Sequence, residues 1–247
     1  MADHNVGRQG IIKSKVIPTL LNLMDDPIDI CRSNTYKTFK ILSEQPAGSA
    51  ALLDTDLVSQ LVHKLDTELE GIQELILETL HFCLQADSLQ ALNAGAVGIL
   101  KKKLKHPSEE IRRMAAGAIM EICVPLAGKE TVCNEEVVPI LVQVLEDSNM
   151  EVRANAAGAL MYVSVTTQGK CASLKSGAVP KLLALVSDEY SLVRLNCLKA
   201  LTTLAEAPEG RKLLLDDVTL IQDCLNDQSE AVRRAATIAI KVIQWKP

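Results

Sequence analysis

Aromatic rings are scarce in this chain. Its 247 residues include only Phe39, Phe82, Tyr36, Tyr162, Tyr190 and Trp245 of the large aromatic types, although nearly half of all residues are apolar. The core must be filled by Leu, Ile, Val and Ala, which suits closely approaching helices better than a sandwich or an aromatic-lined pocket. An excess of basic residues is also lacking: 26 Lys and Arg face 31 Asp and Glu, the signs are interspersed, and the net charge is −5. A general nucleic-acid binder needs a concentrated basic face to displace counterions, so nucleic acid is not an expected partner. No apolar run reaches the length of a membrane span, and no apolar segment follows a basic lead at the N-terminus. Membrane partners and secretion are therefore not expected, and the chain is expected to stay in a reducing compartment.

Recognisable chemistry is equally sparse. The seven cysteines (Cys31, Cys83, Cys123, Cys133, Cys171, Cys197, Cys224) are odd in number and contain no CxxC pair, so they read as small hydrophobes rather than zinc or redox ligands. His4, His63, His81 and His106 stand beside no carboxylate or Cys at metal-ligand spacing. HExxH, GxSxG, a P-loop and a GxGxxG after a strand are all absent, so neither an enzyme nor a cofactor is expected.

What is present is a period. The stretches "DICRSN", "EEIRRM", "MEVRAN", "SLVRLN" and "EAVRRA" place Arg32, Arg112, Arg153, Arg194 and Arg233 after an apolar residue or Cys, and Gln73 takes the Arg position in the remaining repeat. Successive steps are 41, 39, 41, 41 and 39 residues. Pro18, Ser59, Gly98, Pro139, Pro180 and Ile221 keep the same register, as do Gly7-Arg8, Gly48-Ser49, Gly128-Lys129, Gly169-Lys170 and Gly210-Arg211. Three markers sharing a period of about 40 are the signature of armadillo and HEAT arrays.

Each period reads as a helix, a short break and a longer helix. In "VVPILVQVLED", Val138, Leu141, Val142 and Leu145 form one stripe, and Pro139 is tolerated in the first turn. In "SNMEVRANAAGALMYVSV", Val152, Ala156, Ala159, Leu160 and Val163 share one face of the second helix, which is expected to end before Gly169. A helix pair of this kind buries its apolar face only by stacking on its neighbours. The expected fold is an all-α, right-handed armadillo/HEAT-like α-solenoid with one continuous core. The expected repeats are 14–54, 55–94, 95–135, 136–176 and 177–217, preceded by a remnant at 1–13 and closed by a capping repeat at 218–247, where Trp245 is placed to cover the end of the core.

Four repeats carry an Asp six residues before the Arg: Asp26 and Arg32, Asp147 and Arg153, Asp188 and Arg194, Asp227 and Arg233. Each Asp is placed to cap the long helix, and each Arg to reach the Asp of the adjacent repeat. His106 stands in for the Asp before Arg112, and the second repeat has neither partner, so the ladder reads as interrupted at both positions. The run from Lys101 to Lys105 reads as a solvated helix face, with a docking patch for an acidic partner as the alternative. On the long helices, an inner row of Tyr36, Glu78, Gly117, Gly158, Lys199 and Ile238 is followed one turn later by Lys40, Phe82, Glu121, Tyr162, Thr203 and Val242. Tyr36, Lys40, Glu78, Phe82, Glu121, Tyr162, Lys199 and Thr203 are the candidate partner-binding residues of the groove. Nuclear-import receptors of the armadillo class carry a Trp and Asn ladder in such rows, and that ladder is missing here.

The stretches "HNVGRQGIIKSKVIP", "EVRANAAGALM", "KALTTLAEAPEGR" and "VIQWKP" together resemble the armadillo-repeat radial spoke head proteins, also called the rhabdoid tumour deletion region protein family. The resemblance implies a non-catalytic scaffold in the radial spokes of motile cilia and flagella, partnered by spoke and other axonemal subunits in the cytoskeleton. The alternative is a soluble cytoplasmic adaptor whose groove binds an extended peptide of a signalling or transport partner. Members of the family carry further repeats upstream, so Gly7-Arg8 reads as the end of a missing repeat, in an isoform, an alternative start or a laboratory truncation. The helix at 14–24 is then expected to expose an apolar flank. Concentration-dependent self-association or fraying of the first repeat is the expected consequence, and uniformly strong hydrogen-exchange protection there in a monomer is the opposing result.

Overall fold

The computed structural model describes residues 4–14 and 16–245. Residues 1–3, Lys15, Lys246 and Pro247, including the end of the "VIQWKP" stretch, lie outside the described residues. The described chain is helical and divides into two compact units, Met1–Ile122 and Cys123–Pro247.

In the first unit the helices are α1 (Asn5–Lys13), α2 (Ile17–Asn22), α3 (Asp29–Ser43), α4 (Pro46–Leu53), α5 (Leu57–Lys64), α6 (Glu70–Ala86), α7 (Leu89–Asn93), α8 (Ala96–Lys103) and α9 (Glu109–Ile122). The second unit holds α10 (Leu126–Asn134), α11 (Val138–Gln143), α12 (Met150–Val163), α13 (Thr167–Lys175), α14 (Ala178–Ala184), α15 (Ser191–Ala205), α16 (Pro208–Leu215), α17 (Val218–Asp223) and α18 (Glu230–Ile243). Two short helices thus precede every long one, where the sequence suggests a single short helix. The long helices pack side by side, α3 on α6 on α9 in one unit and α12 on α15 on α18 in the other.

The additional helix explains the glycine marker. Gly48, Gly169 and Gly210 lie inside α4, α13 and α16, not in the breaks after the long helices. There the short helix crosses the carboxyl end of the preceding long one at backbone contact. A Cβ on Gly48 would lie 1.9 Å from the Leu42 carbonyl oxygen, on Gly169 1.9 Å from that of Val163, and on Gly210 2.1 Å from that of Leu204. No side chain fits at such distances, because the obstruction is main chain. Gly7 likewise lies inside a helix, α1, which runs on through Ile11 and Ile12 to Lys13. Turns between the two short helices recur at Gly95 (φ 75°) and Gly177 (φ 73°), and Glu136 holds the corresponding left-handed position at φ 54°.

The apolar stripes are buried as their spacing demands. Val138, Leu141, Val142 and Leu145 are inside, as are Val152, Ala156, Ala159, Leu160 and Val163. Ala154, Ala156, Ala157 and Gly158 thin the surface of α12 so that α15 approaches it closely. Asn196 Nδ2 of α15 donates to the Ala154 carbonyl of α12 at 2.9 Å across that contact, and at the end of α12 the buried Ser164 hydroxyl meets that of Ser173 in α13 at 3.0 Å. In the first repeat Val16, Leu23, Ile28 and Ile30 are exposed. Trp245 does not cover the end of the core; it is 56% exposed, and the Arg211 guanidinium lies 5.2 Å from its ring centroid. The arginine holds the indole at the surface by a cation–π contact.

Gly169→Ala is expected to lower the unfolding free energy by about 2–3 kcal/mol through forced separation of α13 from the end of α12. Gly71→Ala, whose Cβ meets nothing within 4 Å on the exposed start of α6, is expected to raise it by up to about 1 kcal/mol. Urea denaturation of both variants checks the pair.

Candidate functional site

Two constructions stand out on the long helices: the ladder of charged pairs at their amino ends and a groove across their exposed faces. The ladder is built from one repeated unit of hydrogen bonding. Oδ1 of Asp26, Asp147, Asp188 and Asp227 accepts the backbone N–H two residues on, from Ile28, Asn149, Tyr190 and Ser229, at 2.8–2.9 Å. The Asp therefore closes the turn before the helix and does not cap it. In α12 the cap is Asn149, whose Oδ1 accepts from Glu151 and Val152.

The six-residue spacing comes from the main chain. Arg32, Arg153, Arg194 and Arg233 each donate from Nη1 to the carbonyl oxygen of Asp26, Asp147, Asp188 and Asp227, at 2.9, 3.0, 2.7 and 2.6 Å. Since a carbonyl suffices, Arg112 makes the same bond to His106 at 2.9 Å. His106 Nδ1 accepts from the Ser108 N–H at 3.1 Å, reproducing the Asp turn with a ring nitrogen. The turn and the carbonyl bond of the ladder thus continue through His106.

Side chains then link neighbouring repeats inside each unit. Arg153 Nε donates to Asp188 at 2.8 Å, and Arg194 grips Asp227 with Nε and Nη2 at 2.7 and 2.9 Å. In the first unit Arg32 Nε pairs with Glu68 at 3.0 Å, so the second repeat does have an acidic partner, displaced by the longer reach of Glu. Gln73 substitutes for Arg by donating to the Glu68 carbonyl at 2.7 Å, and the buried Lys103 ammonium donates to Gln73 Oε1 at 3.0 Å and lies 3.3 Å from Asp66. The basic run is thus divided: Lys103 is buried, and Lys102 pairs with Asp66 at 2.7 Å. Neither a wholly solvated face nor a free docking patch describes it.

Electrostatic consequences follow from these contacts. The hydrogen bond from Arg194, helped by the Ser229 N–H, holds the Asp227 carboxyl below its ordinary range, and Lys102 followed by Lys103 does so for Asp66. Burial, then the Coulombic field of Glu110, Glu70 and Glu78, raises Glu74. Burial pushes the Cys83 and Cys123 thiols up to about 12 and raises Cys197 further, so these are inert side chains; Cys171 is exposed. Among the described residues no three His, Cys, Asp or Glu converge as a metal-holding group, and no helix is long and apolar enough to cross a membrane.

The groove residues are only partly brought together. In the second unit Tyr162, Lys199 and Thr203 line one open groove of about 570 Å³ across α12, α15 and α18, together with Ile238. Gly158, the inner-row position on α12, is buried and is not part of the lining. Met161, Val165, Leu195, Thr202 and Arg234 also line it, beside Ala231 and Ala235. The first five sit one, three or four residues from the row positions, so the helical neighbour rule was the available signal for them. In the first unit Glu78, Phe82, Gly117 and Glu121 are half-buried. Tyr36 is fully buried, with its phenol raised by burial and then by Glu68, and its hydroxyl 3.4 Å from Glu68 Oε1. Lys40 pairs with Glu44 at 2.8 Å. The cause is register: the row lies five and nine residues after the Arg in the other repeats, whereas Tyr36 and Lys40 lie four and eight after Arg32. One residue turns a helix by about 100°, which carries Tyr36 into the core; Lys37 and Ile41 occupy the equivalent places.

A model of the HEAT-repeat family matches residues 99–202. Among solved structures, an engineered protein superposes with a TM-score of 0.86 at 22% identity, over 92% of this chain and 96% of its own. A designed armadillo repeat protein in complex with the peptide (KR)4 superposes at 0.85 with 18% identity, over 92% and 99%. A computationally designed armadillo repeat protein for modular peptide recognition does so at 0.85 with 20% identity, again over 92% and 99%. The fold is that of an armadillo/HEAT-type α-solenoid.

Because Asp227 is depressed in the folded state, its contribution is present above the ordinary carboxylate range near pH 4 and is lost as the pH falls through its folded value. Asp227→Asn is expected to destabilise by about 1–2 kcal/mol at pH 7, with the difference from wild type shrinking as the pH falls below the ordinary carboxylate range, as read by urea midpoints. Thiol labelling with iodoacetamide is expected to modify Cys171 first and to reach Cys83, Cys123 and Cys197 only on unfolding.

Proposed function

We propose that this chain is a non-catalytic protein-interaction scaffold and a structural subunit of the radial spoke in the axoneme of motile cilia and flagella. The open groove over α12, α15 and α18 carries the interaction reading: it presents apolar side chains from three successive repeats on one rigid face. Support comes from the similar designed proteins, one in complex with a peptide and one built for peptide recognition. The axonemal assignment rests on the sequence resemblance in "EVRANAAGALM" and "KALTTLAEAPEGR". Spoke and other axonemal subunits are the proposed partners, and the cytoskeleton of the cilium the proposed location.

The groove by itself also suits the second reading, a cytoplasmic adaptor holding an extended peptide. Affinity capture with the full chain from ciliated and non-ciliated cell lysates, followed by mass spectrometry, separates the two. Spoke subunits recovered from the ciliated lysate alone are the expected result. Recovery of the same non-axonemal partners from both lysates, displaced by short peptides, would overturn the axonemal assignment in favour of the adaptor.

A further inference from the structure

The second-unit groove has a chemical character more specific than "apolar". Its threonine hydroxyls are spent within α15: Thr202 Oγ1 donates to the Leu198 carbonyl at 2.7 Å and Thr203 Oγ1 to that of Ala200 at 2.8 Å. Their hydroxyl hydrogens are thereby unavailable to a ligand. Val165, in the turn just after α12, and Ile238 on α18 are 58% and 55% exposed, and both border this one groove, which gathers them into a single apolar surface. Tyr162 is held in place by the Lys129 ammonium, 6.0 Å from its ring centroid, which is itself bonded to the Val124 carbonyl.

The charge at this site is one-sided. Lys199 and Arg234 are the ionisable side chains of the lining apart from Tyr162, and no Asp or Glu belongs to it, in a chain whose net charge is −5. Arg234 pairs with Glu230 on its own helix, but both partners are largely exposed, so a ligand carboxylate competes with that pair at little cost. A basic peptide of the (KR)4 kind meets two like charges here and no carboxylate in the lining. An acidic one meets complementary charge beside an apolar floor.

We infer that this groove takes an acidic segment of a partner protein bearing bulky apolar side chains, which seat between Tyr162 and Ile238 while its carboxylates face Lys199 and Arg234. A groove of about 570 Å³ lies within the range that holds a few large side chains. The inference rests on the scaffold reading above and narrows it to one surface and one partner chemistry.

Fluorescence polarisation with three labelled nonapeptides tests it on the full chain: Glu alternating with Leu and Phe, and the same peptide with Gln or with Lys in place of Glu. The Glu peptide is expected to bind more tightly than the Gln peptide, the Lys peptide to bind least, and the preference to fade with added salt. Lys199→Glu combined with Arg234→Glu is expected to weaken the Glu peptide by about tenfold or more, and Ile238→Asp to do likewise, with unchanged circular dichroism. Reversal of the exposed Lys105 and Lys212 should leave binding intact. Equal binding of the three peptides, binding of none, or indifference to the groove substitutions would overturn the inference. If lysate capture of partners persists unchanged in the double reversal, the scaffold reading stands and the groove assignment fails.

Discussion

The side-by-side register of successive long helices is the constraint on which the rest of each unit depends. Where α12 meets α15, Ala154, Ala156, Ala157 and Gly158 bring the backbones close enough for Asn196 to bond the Ala154 carbonyl. Burial drives the contact, but apolar surface alone does not choose among neighbouring registers. The paired hydrogen bonds of Arg194 with Asp227, and the bond from Arg153 Nε to Asp188, do choose, because a directed guanidinium contact tolerates little displacement. Each Asp also closes its own turn, and its carbonyl binds the next Arg, so one residue fixes the turn, the helix start and the neighbour.

This register is also what creates the groove. Side chains five and nine residues after each Arg are carried to one face only because every long helix starts from the same anchored turn. Tyr162, Lys199, Thr203 and Ile238 meet although they are far apart in sequence. The same rule exposes the exception in the first repeat, where a count one residue short selects Tyr36, a side chain held inside against Glu68.

The period, the fold class and the buried stripes were legible because they depend on residue type at fixed spacing. The glycine marker was visible, but its cause was not: only the crossing of α13 over the Val163 carbonyl shows why Gly169 has no side chain. The substitutes in the ladder were hidden for a different reason. Glu68, Lys103 and the ring nitrogen of His106 perform the work of Asp or Arg from different side-chain lengths and different places in the repeat, so no common spacing marks them. Lys103 in particular sits in a basic run that suggests solvent, whereas its partners Gln73 and Asp66 come from elsewhere in the first unit.

The exposed faces of α12, α15 and α18 are the surface on which the interaction role turns. Hydrogen exchange measured by mass spectrometry, on the chain alone and bound to a partner captured from lysate, reads that surface directly. Protection gained in the segments carrying Tyr162, Lys199 and Ile238 is the predicted result. Protection confined to the short helices α13, α14, α16 and α17, with the long helices unchanged, would contradict it.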